Sequence, residues 1–184
     1  RVAGLLSVSA LMTVVMWENF RVARRSRREL HEAHSRSESL LLNVLPAPIA
    51  ARLKGEEGLI ADHCAGATVL FADIVGFTKL ADGLEPSELV QLLNRYFGAF
   101  DALLDRHHLE KIKTIGDAYM VAGGVPEPQE KHVEQVLHMA RSMLTAVSQL
   151  NEETGHSLHL RIGVHTGPVV AGVIGTRKFH YDLW

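Results

Sequence analysis

Two aspartates, Asp73 and Asp117, point most directly to a chemical role for this sequence. Asp73 follows an apolar run of strand length, and Asp117 lies in a Gly116-Asp117 turn between two short strand-like runs. Like charges held close together raise a carboxyl pKa and destabilise a fold unless they share a cation. Oxygen ligands without cysteine or histidine beside them favour Mg²⁺ or Mn²⁺ over zinc. We therefore expect a divalent metal site, although each residue alone would be an ordinary cap or turn aspartate.

The segment after Asp73 adds a second chemical feature. Two metals bridged by paired carboxylates lower the pKa of an attacking hydroxyl and neutralise phosphate charge in an in-line displacement. The loop continues as Ile74-Val75-Gly76-Phe77-Thr78 and leads into a helical stretch. Backbone N–H groups in such a loop are able to bind an anion. Gly76 by itself indicates only a tight turn, but next to Asp73 it favours a phosphate site at Gly76, Phe77 and Thr78.

The surrounding pattern alternates between strand-like runs and helices with an apolar stripe. This order, βαββαβ, predicts an α+β, ferredoxin-like fold, an antiparallel sheet with both helices on one face. Its first and third strands are central neighbours, which brings Asp73 and Asp117 to the same edge of the sheet. The predicted elements are strand Ala67–Ala72, helix Pro86–His107, the hairpin strands Lys111–Ile115 and Tyr119–Ala122, helix Glu130–Glu153 and strand Leu158–Val164.

The N-terminal residues have a different character. Val2 to Trp17 contains no charged residue and would span about 24 Å as a helix. We expect residues 1–20 to be the end of a transmembrane helix in the cell membrane, continuing upstream of Arg1, with the rest of the chain in the cytoplasm. A buried helix of a soluble sensor domain is the alternative. The cytoplasmic side is indicated by the arginines that follow, Arg21, Arg24, Arg25, Arg27 and Arg28.

Residues 21–64 read as a basic juxtamembrane segment followed by a signalling-helix linker. From Glu29 to Leu45 a partly polar seam, at Leu30, His34, Ser37, Leu41 and Val44, recurs at coiled-coil spacing. A weak parallel coiled coil and a solvated linker helix are equally consistent with it. Pro46 and Pro48 end the helix, and we expect the catalytic domain to occupy residues 65–184.

The composition excludes several classes of protein. With 184 residues, 47% hydrophobic and 22% charged, the chain is of a size and hydropathy for one globular domain with a short appendage. The net charge of -2 argues against nucleic acid as a partner. Cys64 is the only cysteine, which excludes an intrachain disulfide and a cysteine zinc cluster.

Four segments together resemble the catalytic domain of class III nucleotidyl cyclases. They occur in that family's order and spacing, and LLLNVLPAPIAARLK, ahead of them, is similar to the segment that leads into the family's domain. The resemblance runs from about Leu40 to Trp184. The segments are FADIVGFTKL from Phe71, EKIKTIGDAYMVAGG from Glu110, LRIGVHTGPVVAGVIG from Leu160 and FHYDLW from Phe179.

The resemblance implies a role for each site residue. Asp73, the backbone carbonyl of Ile74, and Asp117 would hold two divalent cations, Mg²⁺ or Mn²⁺. Lys113 and Asp182 stand where the family's adenylyl enzymes recognise adenine, and where its guanylyl enzymes have glutamate and cysteine. An ammonium donates to adenine N1 and a carboxylate accepts from the N6 amine, so ATP is the implied substrate.

The resemblance also implies how the chains assemble. Metal residues of one chain and base residues of the other meet across a homodimer interface, and this chain carries both sets. The implied activity is conversion of ATP to 3',5'-cyclic AMP and pyrophosphate in intracellular signalling. The family's next helix carries an asparagine and an arginine that stabilise the transition state, and this chain ends at Trp184. Without such an arginine we expect a rate lower by roughly 10³ to 10⁵ for the chain as given.

The sequence is also compatible, to different degrees, with three functions other than that of an adenylate cyclase. A guanylate cyclase and a catalytically silent, nucleotide-binding signal relay stay open as alternatives. A polymerase-palm or diguanylate-cyclase domain shares the topology, but its turn carries adjacent acids, whereas the GDAY turn at Gly116 to Tyr119 has one.

Overall fold

The computed structural model describes residues 16, 17, 20, 21, 24, 25, 27, 28, 31, 35, 42, 44–55, 58–175 and 177–184. The chain divides into two compact units, Arg1–Val44 and Leu45–Trp184. The division proposed at residue 65 from the sequence stays a prediction.

In the N-terminal unit, the described residues from Met16 to Leu42 are helical. The Arg21 guanidinium lies 4.6 Å from the centre of the Trp17 ring, as expected for residues four apart on one helix face. Most of the predicted transmembrane end and of the coiled-coil seam lies outside the described residues. Within the part of the chain that the structure does describe, no helix is long and apolar enough to cross a membrane.

The C-terminal unit is built on one antiparallel sheet of five strands in the order β2-β3-β1-β4-β5. The predicted βαββαβ order is confirmed, with the first and third strands paired in the middle. The last strand was not predicted. The elements are α1 (Ala47–Gly55), β1 (Ala61–Ile74), α2 (Phe77–Ala81), α3 (Pro86–His107), β2 (Glu110–Ile115), β3 (Ala118–Gly123), α4 (His132–Thr154), β4 (Leu160–Ile174) and β5 (His180–Leu183).

Strand β4 is longer than the sequence pattern indicated. It pairs with β1 from Ile74 opposite Leu160 to Ala61 opposite Gly172, and the ladder is irregular between Cys64 and Ala67. Pro168 faces that irregularity, where a residue without an N–H group interrupts no ladder hydrogen bond. A Cβ on Gly172 would lie 2.7 Å from the Ile60 carbonyl oxygen. Gly172 is therefore required by the close packing of this strand.

Helices α3 and α4 cover one face of the sheet, as predicted. Their buried side chains form a single core with alternate residues of β1 and β3, such as Leu70 and Val121. Phe100 and Tyr119 meet at its centre, with ring centroids 5.5 Å apart and an edge-to-face arrangement. On the opposite face, the next residue of β1, Phe71, is 43% exposed. The face opposite α3 and α4, which we call the open face, is thus exposed at Phe71 and buried at Met120.

The central position of Phe100 yields a stability prediction. Replacement Phe100→Ala removes a fully buried ring and leaves a cavity, which we expect to lower the free energy of unfolding by about 3–5 kcal/mol. Val90 lies on the same helix but is 56% exposed, so Val90→Ala should change it by less than about 0.5 kcal/mol. Urea titrations of both variants measure the difference, and equal effects would contradict the assignment of the core.

Candidate active site

Asp73 and Asp117 lie at the same end of the central strand pair. Asp73 is directly opposite Ala118, the first residue of β3, and Asp117 is the turn residue immediately before it. The antiparallel register thus places the two carboxylate-bearing residues next to each other, as the sequence predicts. Their role as metal ligands stays a prediction.

The two carboxylates at this edge are too few to enclose a metal ion by themselves. They fit Mg²⁺ or Mn²⁺, which also bind water and substrate phosphates. Among the residues that the structure describes, no three His, Cys, Asp or Glu side chains gather as a metal site. Mg²⁺ is commonly held by one or two carboxylates, with water and substrate phosphates as its other ligands. The Ile74 side chain is hydrocarbon and is buried in the core, so only the backbone carbonyl oxygen of this residue could bind a metal.

The predicted phosphate loop forms a tight turn into a short helix. Gly76 is the residue before α2 and has φ +73, a left-handed conformation that strongly favours glycine. Phe77 begins the helix and packs against the core, while the Val75 amide donates to the His159 carbonyl at 2.9 Å. The first N–H groups of a helix have no acceptor within it. The Val75 hydrogen bond and the packing of Phe77 therefore hold the backbone at Gly76, Phe77 and Thr78, a few residues along the chain from Asp73.

Lys113 and Asp182 form an ion pair between the two edge strands of the sheet. The Lys113 Nζ donates to Asp182 Oδ2, and the Leu183 amide donates to Asp182 Oδ1 at 2.9 Å. The side chains are only 24% and 13% exposed. β2 and β5 are at opposite ends of the strand order, and yet they contact each other. The sheet therefore curves until its two edges meet. The two residues singled out for base recognition are thus adjacent within one chain.

Asp73 and Lys113 share the open face of the sheet. Lys113 is opposite Met120, and Met120 is opposite Phe71, two residues before Asp73. Directly opposite residues of antiparallel strands point to the same side. Asp73 and Lys113 therefore both lie on the face opposite α3 and α4.

Arg161 is a candidate site residue that the sequence reasoning missed. It lies directly opposite Asp73 in the pairing of β1 with β4 and is exposed. Its guanidinium is therefore on the same face as the Asp73 carboxylate, beside the predicted metal site. In the segment LRIGVHTG, Arg161 is a charged residue within a strand-like run, which could have marked it as a candidate. Only the strand register shows that Arg161 faces Asp73.

The contact between β2 and β5 also encloses Glu110 and Tyr181. Burial raises the pKa of Glu110 to about 7. Tyr181 is 3% exposed, and its hydroxyl has no hydrogen-bond partner in the described part of the chain. Burial, together with the nearby Cys64, Glu110 and Asp62, raises its pKa above the ordinary range. The Lys113–Asp182 ion pair thus lies beside a sheltered region where charge is disfavoured.

The raised pKa of Glu110 makes stability depend on pH. The folded chain keeps this proton up to about pH 7, whereas the unfolded chain loses it near the ordinary value of 4.5. The folded state binds more protons in that window, so stability falls as the pH rises through it. Replacement Glu110→Gln removes this component. Urea midpoints at about pH 5 and about pH 8 should show the variant gaining relative to wild type at the higher pH, and a constant difference would contradict the assignment.

The curved sheet, its two covering helices and the adjacent aspartates define a nucleotidyl cyclase catalytic domain. Residues 60–184 match the family described as Adenylate and Guanylate cyclase catalytic domain, and the chain belongs to that family. An adenylate cyclase of Mycobacterium tuberculosis is 46% identical over 189 residues, which cover 97% of this chain and 43% of the relative. The chain therefore spans less than half the length of that relative.

Solved structures of both nucleotide specificities are similar to this chain. The guanylate cyclase domain of RhGC from Catenaria anguillulae, in complex with GTP, has a TM-score of 0.64 and 32% identity, over 67% of this chain and 68% of that one. The adenylyl cyclase CyaB from P. aeruginosa has a TM-score of 0.63 and 28% identity, over 67% of each chain.

Proposed function

We propose that this chain is the catalytic part of an adenylate cyclase. The ribose 3'-oxygen of ATP attacks the α-phosphorus, the bond to the β-phosphate oxygen breaks, and the products are 3',5'-cyclic AMP and pyrophosphate. The observation that carries the proposal is the Lys113–Asp182 ion pair, which joins one donor and one acceptor at a partly buried position. The similarity to a mycobacterial adenylate cyclase supports it.

The ion pair favours adenine over guanine. The Lys113 ammonium donates to adenine N1, and the Asp182 carboxylate accepts from the N6 amine. Guanine has a donor at N1 and an acceptor at O6, which would face these two side chains with the wrong polarity. A mismatched, partly desolvated polar contact is costly, so the pair discriminates between ATP and GTP.

The residues around Asp73 would hold the metals and the phosphates. Asp73, Asp117 and the Ile74 carbonyl would hold two divalent cations, Mg²⁺ or Mn²⁺, which would lower the pKa of the ribose hydroxyl and neutralise phosphate charge. The amides of Gly76, Phe77 and Thr78 bind phosphate oxygens. Arg161, on the same face as Asp73, contacts the triphosphate from β4.

We further propose that the chain acts as a homodimer through the open face of its sheet. Asp73 and Lys113 both lie on that face, and apolar side chains are exposed there, including Phe71 at 43% and Ile115 at 51%. Such a surface is typical of a subunit interface. Each of two equivalent sites would combine Asp73 and Asp117 of one chain with Lys113 and Asp182 of its partner.

The N-terminal segment is proposed to attach the enzyme to the cell membrane, with the catalytic domain in the cytoplasm. The supporting observations are the charge-free run before Trp17 and the arginines after it.

Nucleotide turnover tests the metal and base assignments together. With Mn²⁺ and either ATP or GTP, we expect cyclic AMP to be the main product, measured on this chain and on a form extended past Trp184. Asp73→Ala should lower its formation by at least about a hundredfold, because a metal ligand is lost. Lys113→Glu should raise the ratio of cyclic GMP to cyclic AMP.

The matched control is Lys111→Glu, which makes the same charge change on the same strand at a lysine paired with Asp101. It should leave the product ratio unchanged. Cyclic GMP as the main wild-type product would instead indicate a guanylate cyclase. Tight ATP binding without any product would indicate a nucleotide-binding relay.

Mixing two inactive variants tests the composite site. A dimer of one Asp73→Ala chain and one Lys113→Glu chain keeps one intact site, formed by the metal residues of the second chain and the base residues of the first. Random mixing should therefore restore about a quarter of the wild-type rate. Each variant alone should stay inactive toward ATP, and a mixture that also stays inactive would show that the two sets of residues do not act across an interface.

A further inference from the structure

A polar groove lies in the helical layer, between α3 and α4. Its volume is about 310 Å³, and its floor includes the buried Leu103. The polar side chains around it all carry N–H or O–H donors, and no Asp or Glu is among the described residues that line it. They are Arg106 from α3 and Arg141, Ser142, Thr145 and Gln149 from α4.

Among the described residues, the two arginines of this groove have no acidic partner. Neither guanidinium forms an ion pair with any carboxylate in the described part of the chain. Arg95, on the same face of the helix pair, contrasts with them, because it donates to Glu153 at 2.9 Å. Arg106 is in the last turn of α3, where the helix dipole favours a cation. Arg141 is in the middle of α4, so the dipole does not account for it.

The positive charge of the groove comes from its two arginines, because the neighbouring His107 is kept neutral near pH 7. His107 Nε2 lies 3.0 Å from Ser142 Oγ at the rim of the groove. Burial lowers the pKa of His107, and the neighbouring Arg106, His138 and His108 lower it further. Asp105 precedes Arg106 in the chain but does not line the groove. An unbalanced positive charge in a concave, donor-rich surface attracts anions.

We infer that this groove binds the phosphate group of an anionic ligand, held by Arg106 and Arg141. A guanidinium matches phosphate oxygens with two parallel hydrogen bonds, and two of them on facing helices fix the position of the group. The phosphate has two available sources. One is a free diphosphate, and the other is a lipid headgroup, since Leu137 and Leu144 are 53% and 50% exposed on the same helix face as Arg141.

Calorimetric titration with inorganic pyrophosphate, without divalent cations, tests the site directly. We expect Arg106→Gln and Arg141→Gln each to weaken binding about tenfold, and the double variant to lose it, because each removes a charged hydrogen-bond donor. Arg95→Gln removes the same charge from a neighbouring, paired arginine and should bind as wild type does. Arg161→Gln removes the cation that the proposed active site offers to phosphate and should also retain binding, which separates this groove from that site.

Vesicles distinguish the two sources of phosphate. Flotation with equimolar phosphatidylcholine and phosphatidylglycerol, compared with phosphatidylcholine alone, shows whether the chain binds a lipid headgroup through the same arginines. If it does, Leu144→Ser should weaken vesicle binding and leave pyrophosphate binding unchanged. Loss of either kind of binding in the double variant alone supports the site. The inference is overturned if the double variant binds both probes as wild type does, or if Arg95→Gln weakens binding as much.

Discussion

The register of β1 between β3 and β4 is the constraint on which the rest of the catalytic unit depends. Side chains of a strand alternate between its faces, so Leu70 and Ala72 enter the core while Phe71 and Asp73 take the open face. A slip of one residue would bury the Asp73 carboxylate among apolar helix residues and expose Leu70. An unpaired buried charge is far more costly than an exposed leucine. The hydrophobic core thus determines where the acidic site lies.

Curvature of the sheet is the second determinant of the site. β2 and β5 are its edge strands, yet Lys113 and Asp182 make an ion pair across them, 69 residues apart in sequence. A partly buried ion pair adds little net stability, because desolvation offsets much of the attraction. The packing of Tyr181, Ala171 and Val173, all at most 9% exposed, supplies the apolar burial that holds β5 in place. In the proposed reaction, the ion pair serves recognition of the base.

Local sequence signals were most informative where a helix or turn has its own chemistry. Helix α3 has the predicted limits, Pro86 to His107, because proline begins it, Glu85 and Glu88 form a capping box, and His108 ends it in a left-handed conformation. The order of elements likewise brought Asp73 and Asp117 to one edge, since the connections allow few topologies. In contrast, the second half of β4 was missed, because its glycines and Pro168 have the local signature of a loop.

The sequence by itself determined the element order, the core-facing stripes and the two aspartates beside the turns. These follow from periodicity and from turn and cap chemistry, which act over a few residues. Only the tertiary structure decided that β5 joins the sheet, that Arg161 faces Asp73, and that two arginines line a groove where no described residue is an acidic partner. Each of these depends on which distant segments pair or pack. That choice is made by burial of the whole core, and no local pattern encodes it.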